Sequence, residues 1–150
     1  MHIELNEFDF ELQNHRLVRK HVPREANSFY RCIAEKVHYS QVDHPVVRQE
    51  LIEFASGHPF FEKLLPLLQD TDAPADDLFP ALASECYDRP IIVFTPSPDG
   101  VIHTVFQPES ESSNARKTIS LAATEFGDRL QYDLVLTEQE LVMLSMAQCE

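Results

Sequence analysis

A short segment near the N-terminus contains a serine whose side-chain oxygen could act as a nucleophile. Residues 23–31 read Pro-Arg-Glu-Ala-Asn-Ser-Phe-Tyr-Arg, and apolar residues recur at every fourth position after Ser28. This spacing predicts a helix that begins near Asn27 or Ser28, either of which can act as an N-cap. The Ser28 hydroxyl is therefore either a helix cap or, with a base in hydrogen-bonding reach, a nucleophile.

The same run resembles the nucleophile motif of the ovarian tumour (OTU) family of deubiquitinases. In that family Asp-Gly-Asn-Cys-Leu-Phe-Arg opens a helix, and the cysteine thiol attacks an isopeptide carbonyl. Asn27 and Arg31 keep their places in the motif. Glu25 replaces the aspartate, Ala26 replaces the glycine, and Ser28 stands at the position of the nucleophilic cysteine.

A second part of the resemblance is a strand near the C-terminus. Residues 130–135 read Leu-Gln-Tyr-Asp-Leu-Val, where the family has His-Tyr-Asp or His-Tyr-Asn followed by one residue and Val. The resemblance puts Gln131 at the position of the general base and Asp133 at the position of the acid that orients it. Both the nucleophile and the base thus differ from the family's pattern.

The likeness extends over residues 10–136 in the family's order and implies the fold. Residues 32–54 resemble the pair of helices after the nucleophile, and residues 78–94 resemble a Leu- and Ala-rich helix that leads into a buried strand. The implied class is α+β, an OTU-like cysteine-protease fold in which a small mixed or antiparallel sheet packs between helices. We expect a single domain over residues 1–150, with an additional C-terminal helix over 137–150.

Residue periodicity predicts the individual elements. An amphipathic helix is expected over 5–18, packed beside the helix that carries Ser28. The other predicted elements are helices at 44–56, 60–68 and 78–87, strands at 91–94, 101–107, 117–122 and 130–136, and an exposed loop at 108–114. Thr137 and Glu140 have the spacing of a capping box, which predicts the start of the last helix.

The substitutions remove chemistry that a thiol protease needs. A glutamine amide does not titrate near neutral pH, so Gln131 cannot take a proton from Ser28. Loss of the nucleophile or the base of a hydrolase triad lowers turnover on the order of a million-fold. The positions on the oxyanion side are Glu25, Ala26 and Asn27, and alanine does not readily adopt the backbone angles open to glycine. The resemblance therefore implies a degenerate triad and impaired donation by this backbone.

These observations predict a catalytically inactive OTU-like pseudoenzyme that acts as a protein-interaction scaffold, with ubiquitin as a candidate partner. Two alternatives stay open. One is a thiol deubiquitinase captured as an engineered Cys-to-Ser variant, which Gln131 argues against. The other is an interaction module that has lost ubiquitin binding. No cofactor and no metal are expected, and the sequence leaves the oligomeric state open, including self-association through 137–150.

Other candidate side chains favour structural roles. His38, Asp43 and His44 lack the spacing of a metal site and are expected to be turn residues. His103 could replace the missing base only from another strand, so a surface or half-buried position is expected for it. Cys32, one turn into the predicted helix, is expected to be a buried and inert thiol.

Composition narrows the functional classes. With 150 residues, 43% of them hydrophobic, the chain has material for one core. A net charge of −13 disfavours direct contact with nucleic acid and favours a basic protein surface as partner. Three cysteines without metal-ligand spacing fit a reducing cytoplasm or nucleus. We expect neither membrane insertion nor secretion, because there is no apolar run of about 18 residues and no signal-peptide pattern.

Overall fold

The computed structural model describes residues 3–109 and 118–148. In chain order its elements are α1 (Ile3–Asn14), β1 (Leu17–Lys20), α2 (Ser28–His38), α3 (His44–Ser56), α4 (Leu65–Gln69), α5 (Phe79–Tyr87), β2 (Ile91–Ser97), β3 (Gly100–Phe106), β4 (Ile119–Phe126), β5 (Arg129–Thr137) and α6 (Glu138–Gln148). Two 3-10 turns, Gln41–Asp43 and Glu62–Leu64, lead into α3 and α4. None of the helices in these ranges has both the length and the apolar character needed to cross a membrane.

The sheet of the described residues has five strands in the order β1-β5-β4-β2-β3. β2 and β4 run parallel and the other neighbouring pairs are antiparallel, so the sheet is mixed. The larger core lies on one face, where α2, α3 and α5 contribute Phe29, Leu51 and Leu82. A smaller core on the opposite face is covered by α1. The predicted α+β class, with a small mixed sheet between helices, is confirmed.

Alternation along β5 divides its side chains between the two cores. Tyr132 enters the larger core, where its ring meets that of Phe29 edge to face with 5.1 Å between centroids. Val135 enters the smaller core. Gln131 and Asp133 lie an even number of residues from Val135, so these two buried polar side chains share the α1 side of the sheet.

The N-terminal segment differs from the prediction. The helix expected over 5–18 ends at Asn14, and residues from Leu17 onward form β1. α1 packs on β1 and β3 over the smaller core and not beside α2. The prediction was wrong because a four-residue edge strand that contains Arg19 and Lys20 has little strand signal. In addition, a helical pattern does not indicate which face of a sheet the helix will cover.

Most of the other predicted elements are present with shifted bounds. α3, α5, β2, β3 and β5 cover the predicted segments. The segment 60–68 forms only a 3-10 turn and the short α4, since Pro66 in the first turn of α4 cannot sit inside a longer helix. The strand predicted at 117–122 corresponds to β4. Residue 117 and most of the loop predicted at 108–114 lie outside the described residues.

The last helix begins as predicted. The Thr137 N–H donates to Glu140 Oε1 at 3.0 Å, and the Glu140 N–H donates to Thr137 Oγ1 at 3.1 Å, which completes the capping box. α6 contacts β5 and β1, and Lys36 on α2 donates to Glu140 Oε2 at 3.3 Å. Val142 on α6 is exposed. Self-association through 137–150 stays a prediction.

The smaller core allows a test of how α1 is held. Leu12 is 0% exposed, so Leu12→Ala should lower the free energy of unfolding by about 2 to 5 kcal/mol through lost burial and the cavity left behind. Phe10 on the same helix is 65% exposed, and Phe10→Ala should change that free energy by about 0.5 kcal/mol or less. Urea denaturation of both variants measures the difference. Equal effects would contradict the placement of α1 over the sheet.

Candidate functional site

Ser28 is the first residue of α2, and its side chain is buried. Its Oγ accepts a hydrogen bond from the Tyr132 N–H on β5 at 3.0 Å. Asn27 occupies the N-cap position, but its side chain does not cap the helix. The expected capping role is therefore wrong for both residues. The contact between α2 and β5 brings the serine oxygen to a backbone donor of the strand, so Ser28 joins helix to sheet.

The Gln131 side chain lies next to this junction and is surrounded by acceptors. Its Nε2 is 3.1 Å from the Tyr132 carbonyl oxygen, 3.3 Å from the Val22 carbonyl oxygen and 3.3 Å from Asp133 Oδ1. Its Oε1 is buried, with no hydrogen-bond partner among the described residues. The amide therefore acts as a donor that connects β5 to the segment after β1.

Asp133 is a buried carboxylate with several partners. Its Oδ1 accepts the Val22 N–H at 2.9 Å and also faces the Gln131 amide. Its Oδ2 lies 3.5 Å from His21 Nδ1 and 3.8 Å from Arg19 Nη1. A carboxylate removed from water needs such donors and positive charge, because its desolvation is otherwise too unfavourable.

The structure thus brings together the three positions that the resemblance assigns to a triad, Ser28, Gln131 and Asp133. Ser28 is bonded to the backbone of Tyr132, the residue between Gln131 and Asp133 on β5. The described contacts include no hydrogen bond between the Ser28 hydroxyl and the Gln131 amide. The roles suggested for these residues by resemblance stay predictions, whereas their proximity is a feature of the fold.

Sequence reasoning missed His21, a half-exposed imidazole beside Asp133. No motif surrounds it, and only the pairing of β1 with β5 brings it there. Lys20 is paired with Leu134, so the next residue along the chain arrives opposite Asp133. Its imidazole is therefore held beside the buried carboxylate by the fold and not by a local motif.

Sequence reasoning also missed Arg48, a buried cation that holds the segment before Ser28. Arg48 Nη2 donates to Asn27 Oδ1 at 2.7 Å, and Nη1 donates to the Leu68 carbonyl oxygen at 2.7 Å. Its guanidinium also lies over the Tyr30 ring, 4.1 Å from the centroid. A signal was present in the sequence, since Arg48 falls on the same face of α3 as the buried residues one and two turns further on.

The backbone on the oxyanion side is already hydrogen-bonded. The Ser28 N–H donates to the Glu25 carbonyl oxygen at 3.2 Å, and the Glu25 side chain accepts from Arg31 Nε. Ala26 is not among the described residues with positive φ. The segment around Asn27 therefore forms an ordinary turn into α2, and the N–H of residue 28 is not directed into open space.

The remaining sequence candidates lie in structural positions. Burial raises the pKa of the Cys32 thiol well above its usual range, and the nearby Asp133 carboxylate acts in the same direction. His38 Nε2 lies 2.6 Å from Glu50 Oε1. Residues 3–109 and 118–148 contain no group of three or more His, Cys, Asp or Glu arranged to hold a metal. His103 is exposed on β3, which β4 and β2 separate from β5, so it cannot replace the base.

The sequence comparisons give one curated relative. No protein-family model matches the chain. The Drosophila melanogaster protein Deubiquitinase otu is 32% identical over 98 residues, which is 59% of this chain. The matched region is 12% of the length of that protein, so the chain spans only a small part of its relative.

Solved structures show the same architecture. The OTU domain of OTUD1 has a TM-score of 0.71 at 18% identity, with 89% of this chain and 94% of that one covered. The viral OTU domain protease from Farallon virus has a TM-score of 0.65 at 10% identity, with 82% and 85% covered. The Hazara virus OTU, in a structure bound to ubiquitin, has 0.63 at 16% identity, with 83% of each chain covered. This chain therefore has the OTU domain fold.

Arg48 should be essential for the geometry of this site. Arg48→Met keeps most of the side-chain volume but leaves the Asn27 amide oxygen and the Leu68 carbonyl without their donor, so we expect a loss of about 2 to 4 kcal/mol in the free energy of unfolding. Hydrogen exchange at the Ser28 and Tyr132 amides should accelerate more than exchange in β3. Arg48→Lys is the control that keeps the positive charge. If Arg48→Lys protected the Ser28 and Tyr132 amides as well as the wild type does, the simultaneous bonding of Asn27 and Leu68 by one guanidinium would not be needed.

The two described cysteines should react slowly with thiol reagents in the folded protein. Burial raises the pKa of Cys86 to about 12, and Cys32 is shifted in the same direction. A thiol is protonated below its pKa, so at pH 8 under about 0.1% of Cys86 is the reactive thiolate. In a Cys149→Ser background, which removes the thiol outside the described residues, dithiobis(nitrobenzoate) should titrate both only after denaturation. Rapid reaction of either thiol in the folded protein would contradict the burial.

Proposed function

We propose that this chain is an OTU-like pseudo-deubiquitinase, a scaffold that binds a protein partner without cleaving it, with ubiquitin as the candidate partner. The observation that carries the proposal is the Ser28 hydroxyl, which is bonded to a backbone N–H of β5 and has an amide, Gln131, where a base is needed. A serine hydroxyl is a weak nucleophile unless a base accepts its proton.

The surroundings of Asp133 support the proposal. In a working triad this carboxylate would orient an imidazole and stabilise the positive charge that develops on it. Here Oδ1 is bonded to the Val22 N–H and the Gln131 amide, and Oδ2 faces Arg19 and His21. These contacts give the carboxylate a structural use, which fits a site kept for its shape.

The proposed partner follows from similarity and from charge. The Hazara virus OTU has the same fold and its structure was determined with ubiquitin bound, which supports ubiquitin as the first ligand to try. The net charge of −13 favours a partner with a basic surface. Cys32 and Cys86 are free thiols, so we place the protein in a reducing compartment, the cytoplasm or the nucleus.

A second candidate is weak hydrolysis with His21 as an alternative base. The observation in its favour is the half-exposed imidazole 3.5 Å from Asp133 Oδ2, an arrangement of a base and its orienting acid. Against it, Ser28 is buried and its oxygen is held by Tyr132. The two candidates differ in whether His21 contributes to any cleavage that is measured.

Restoring the two lost groups tests the proposal. The wild-type chain should not cleave ubiquitin chains or a fluorogenic ubiquitin C-terminal amide, whereas Ser28→Cys combined with Gln131→His should gain cleavage. Ser28→Cys alone should stay at least about 100-fold slower than the double variant, because the thiolate lacks a base. Gln131→His alone is the matched control that keeps the hydroxyl.

Three outcomes would decide against parts of the proposal. Cleavage by the wild type that disappears in Ser28→Ala would overturn inactivity. If that cleavage also disappeared in His21→Ala, the alternative base would be supported instead. Binding is measured separately by titrating ¹⁵N-labelled protein with ubiquitin, with shifts expected at the start of α2. An unchanged spectrum at about 1 mM ubiquitin would mean an affinity weaker than that of transient complexes. That result would favour a module that has lost ubiquitin binding.

A further inference from the structure

The two edges of the sheet differ in how they are protected. β1 is four residues long, contains Arg19 and Lys20, and is contacted by α1 and α6. β3 is seven residues long and has no charged residue and no proline. It pairs one residue for one with β2 from Gly100 to Phe106, without a bulge. Charges, prolines and bulges are the usual means of blocking an edge, and β3 has none of them; α1 and α5 contact this strand, as α1 and α6 contact β1.

Two apolar side chains on this edge strand are exposed to solvent. Ile102 is 55% exposed and Val105 is 45% exposed. Both are β-branched residues that favour a paired strand. Among the described residues no strand adds to the outer side of β3.

The hairpin determines which backbone groups point outward. Ser97 and Gly100 close the turn between β2 and β3, and hydrogen-bonded and non-bonded pairs alternate from there. With Ser97 and Gly100 as a bonded pair, the backbone N–H and C=O groups of Val101, His103 and Val105 point away from β2. Pro96, opposite Val101, agrees with this alternation because it has no N–H to give to β3.

The outward residues are self-complementary about His103. Residues 101–105 read Val-Ile-His-Thr-Val, so an antiparallel copy centred on His103 sets Val101 opposite Val105 and Ile102 opposite Thr104. In this register each residue whose backbone groups point away from β2 lies opposite another such residue of the second copy. The pairing allows about six backbone hydrogen bonds. A two-fold interface requires this self-complementarity, because each contact occurs twice.

We propose that β3 pairs antiparallel with the β3 of a second copy of this chain, centred on His103, to form a ten-stranded sheet across a two-fold axis. Charge does not oppose pairing along β3 itself. Two chains of net charge −13 repel each other, but β3 has no charged side chain. Asp99 before β3 would lie opposite Gln107 of the other copy, so acidic residues do not face each other.

Association is tested by sedimentation equilibrium of the wild-type chain from about 10 µM to 1 mM, the range for an interface made mainly by strand pairing. The mass should rise from 17.2 kDa toward twice that value. The dimer fraction should increase with added NaCl, because salt screens the repulsion between two acidic chains. A wild type that stays monomeric at about 1 mM in 0.5 M NaCl would overturn the proposal.

Three matched variants separate this edge from other surfaces. Val105→Lys places a charge on the edge and should lower the association constant at least tenfold. Val46→Lys on α3 is the control, since Val46 is 46% exposed against 45% for Val105 and the change in net charge is the same. Val142→Lys probes α6 and should also leave the dimer intact. A dimer that Val142→Lys abolishes and Val105→Lys retains would assign association to α6 and overturn the proposal.

The register is tested by disulfide formation in a Cys149→Ser background. His103→Cys should oxidise to a covalent dimer, because the two-fold axis sets position 103 opposite itself with Cα atoms about 5.5 Å apart. Val105→Cys should not, because its symmetry mate lies about 13 Å away along the strand. Cross-linking at position 105 and not at position 103 would overturn the proposed register.

Discussion

The burial of one carboxylate, Asp133, determines the arrangement of the whole site. A carboxylate on the inner strand β5 is stable only where donors and positive charge surround it, and these come from β1, from the residues that follow it and from Gln131. Arg19, which supplies positive charge, also donates to Asp9 on α1 at 2.9 Å. The same group of contacts therefore holds the edge strand β1, its neighbour β5 and the helix α1 together.

A second buried charge organises the opposite side of the site. Arg48 is almost fully buried, and its described hydrogen bonds go to carbonyl, amide and phenol oxygens. The guanidinium can serve several acceptors at once because its donors lie in a fixed plane. It connects α3, the end of α4 and the residue before Ser28. The start of α2 is thus held by a cation on one side and by the Tyr132 N–H on the other.

These two networks explain how the fold accommodates Ser28 and Gln131. Position 28 lies at the start of a helix against β5, and position 131 lies beside a buried carboxylate. Serine and glutamine satisfy the hydrogen bonds available there, apart from Gln131 Oε1. A serine and a glutamine at these two positions are compatible with the fold, because folding depends on satisfied polar groups.

The sequence by itself determined the α+β class, the helices α3 and α5, the capping box of α6 and the identity of the groups at 28, 131 and 133, since these follow from local periodicity and from a motif. Only the tertiary structure decided where α1 packs, that residues 17–20 form a strand, and that His21 and Arg48 belong to the site. The physical reason is the distance in sequence between the partners. Pairing of β1 with β5 joins residues more than 100 positions apart, and the burial of a charge depends on which segments supply its donors, which no local pattern records.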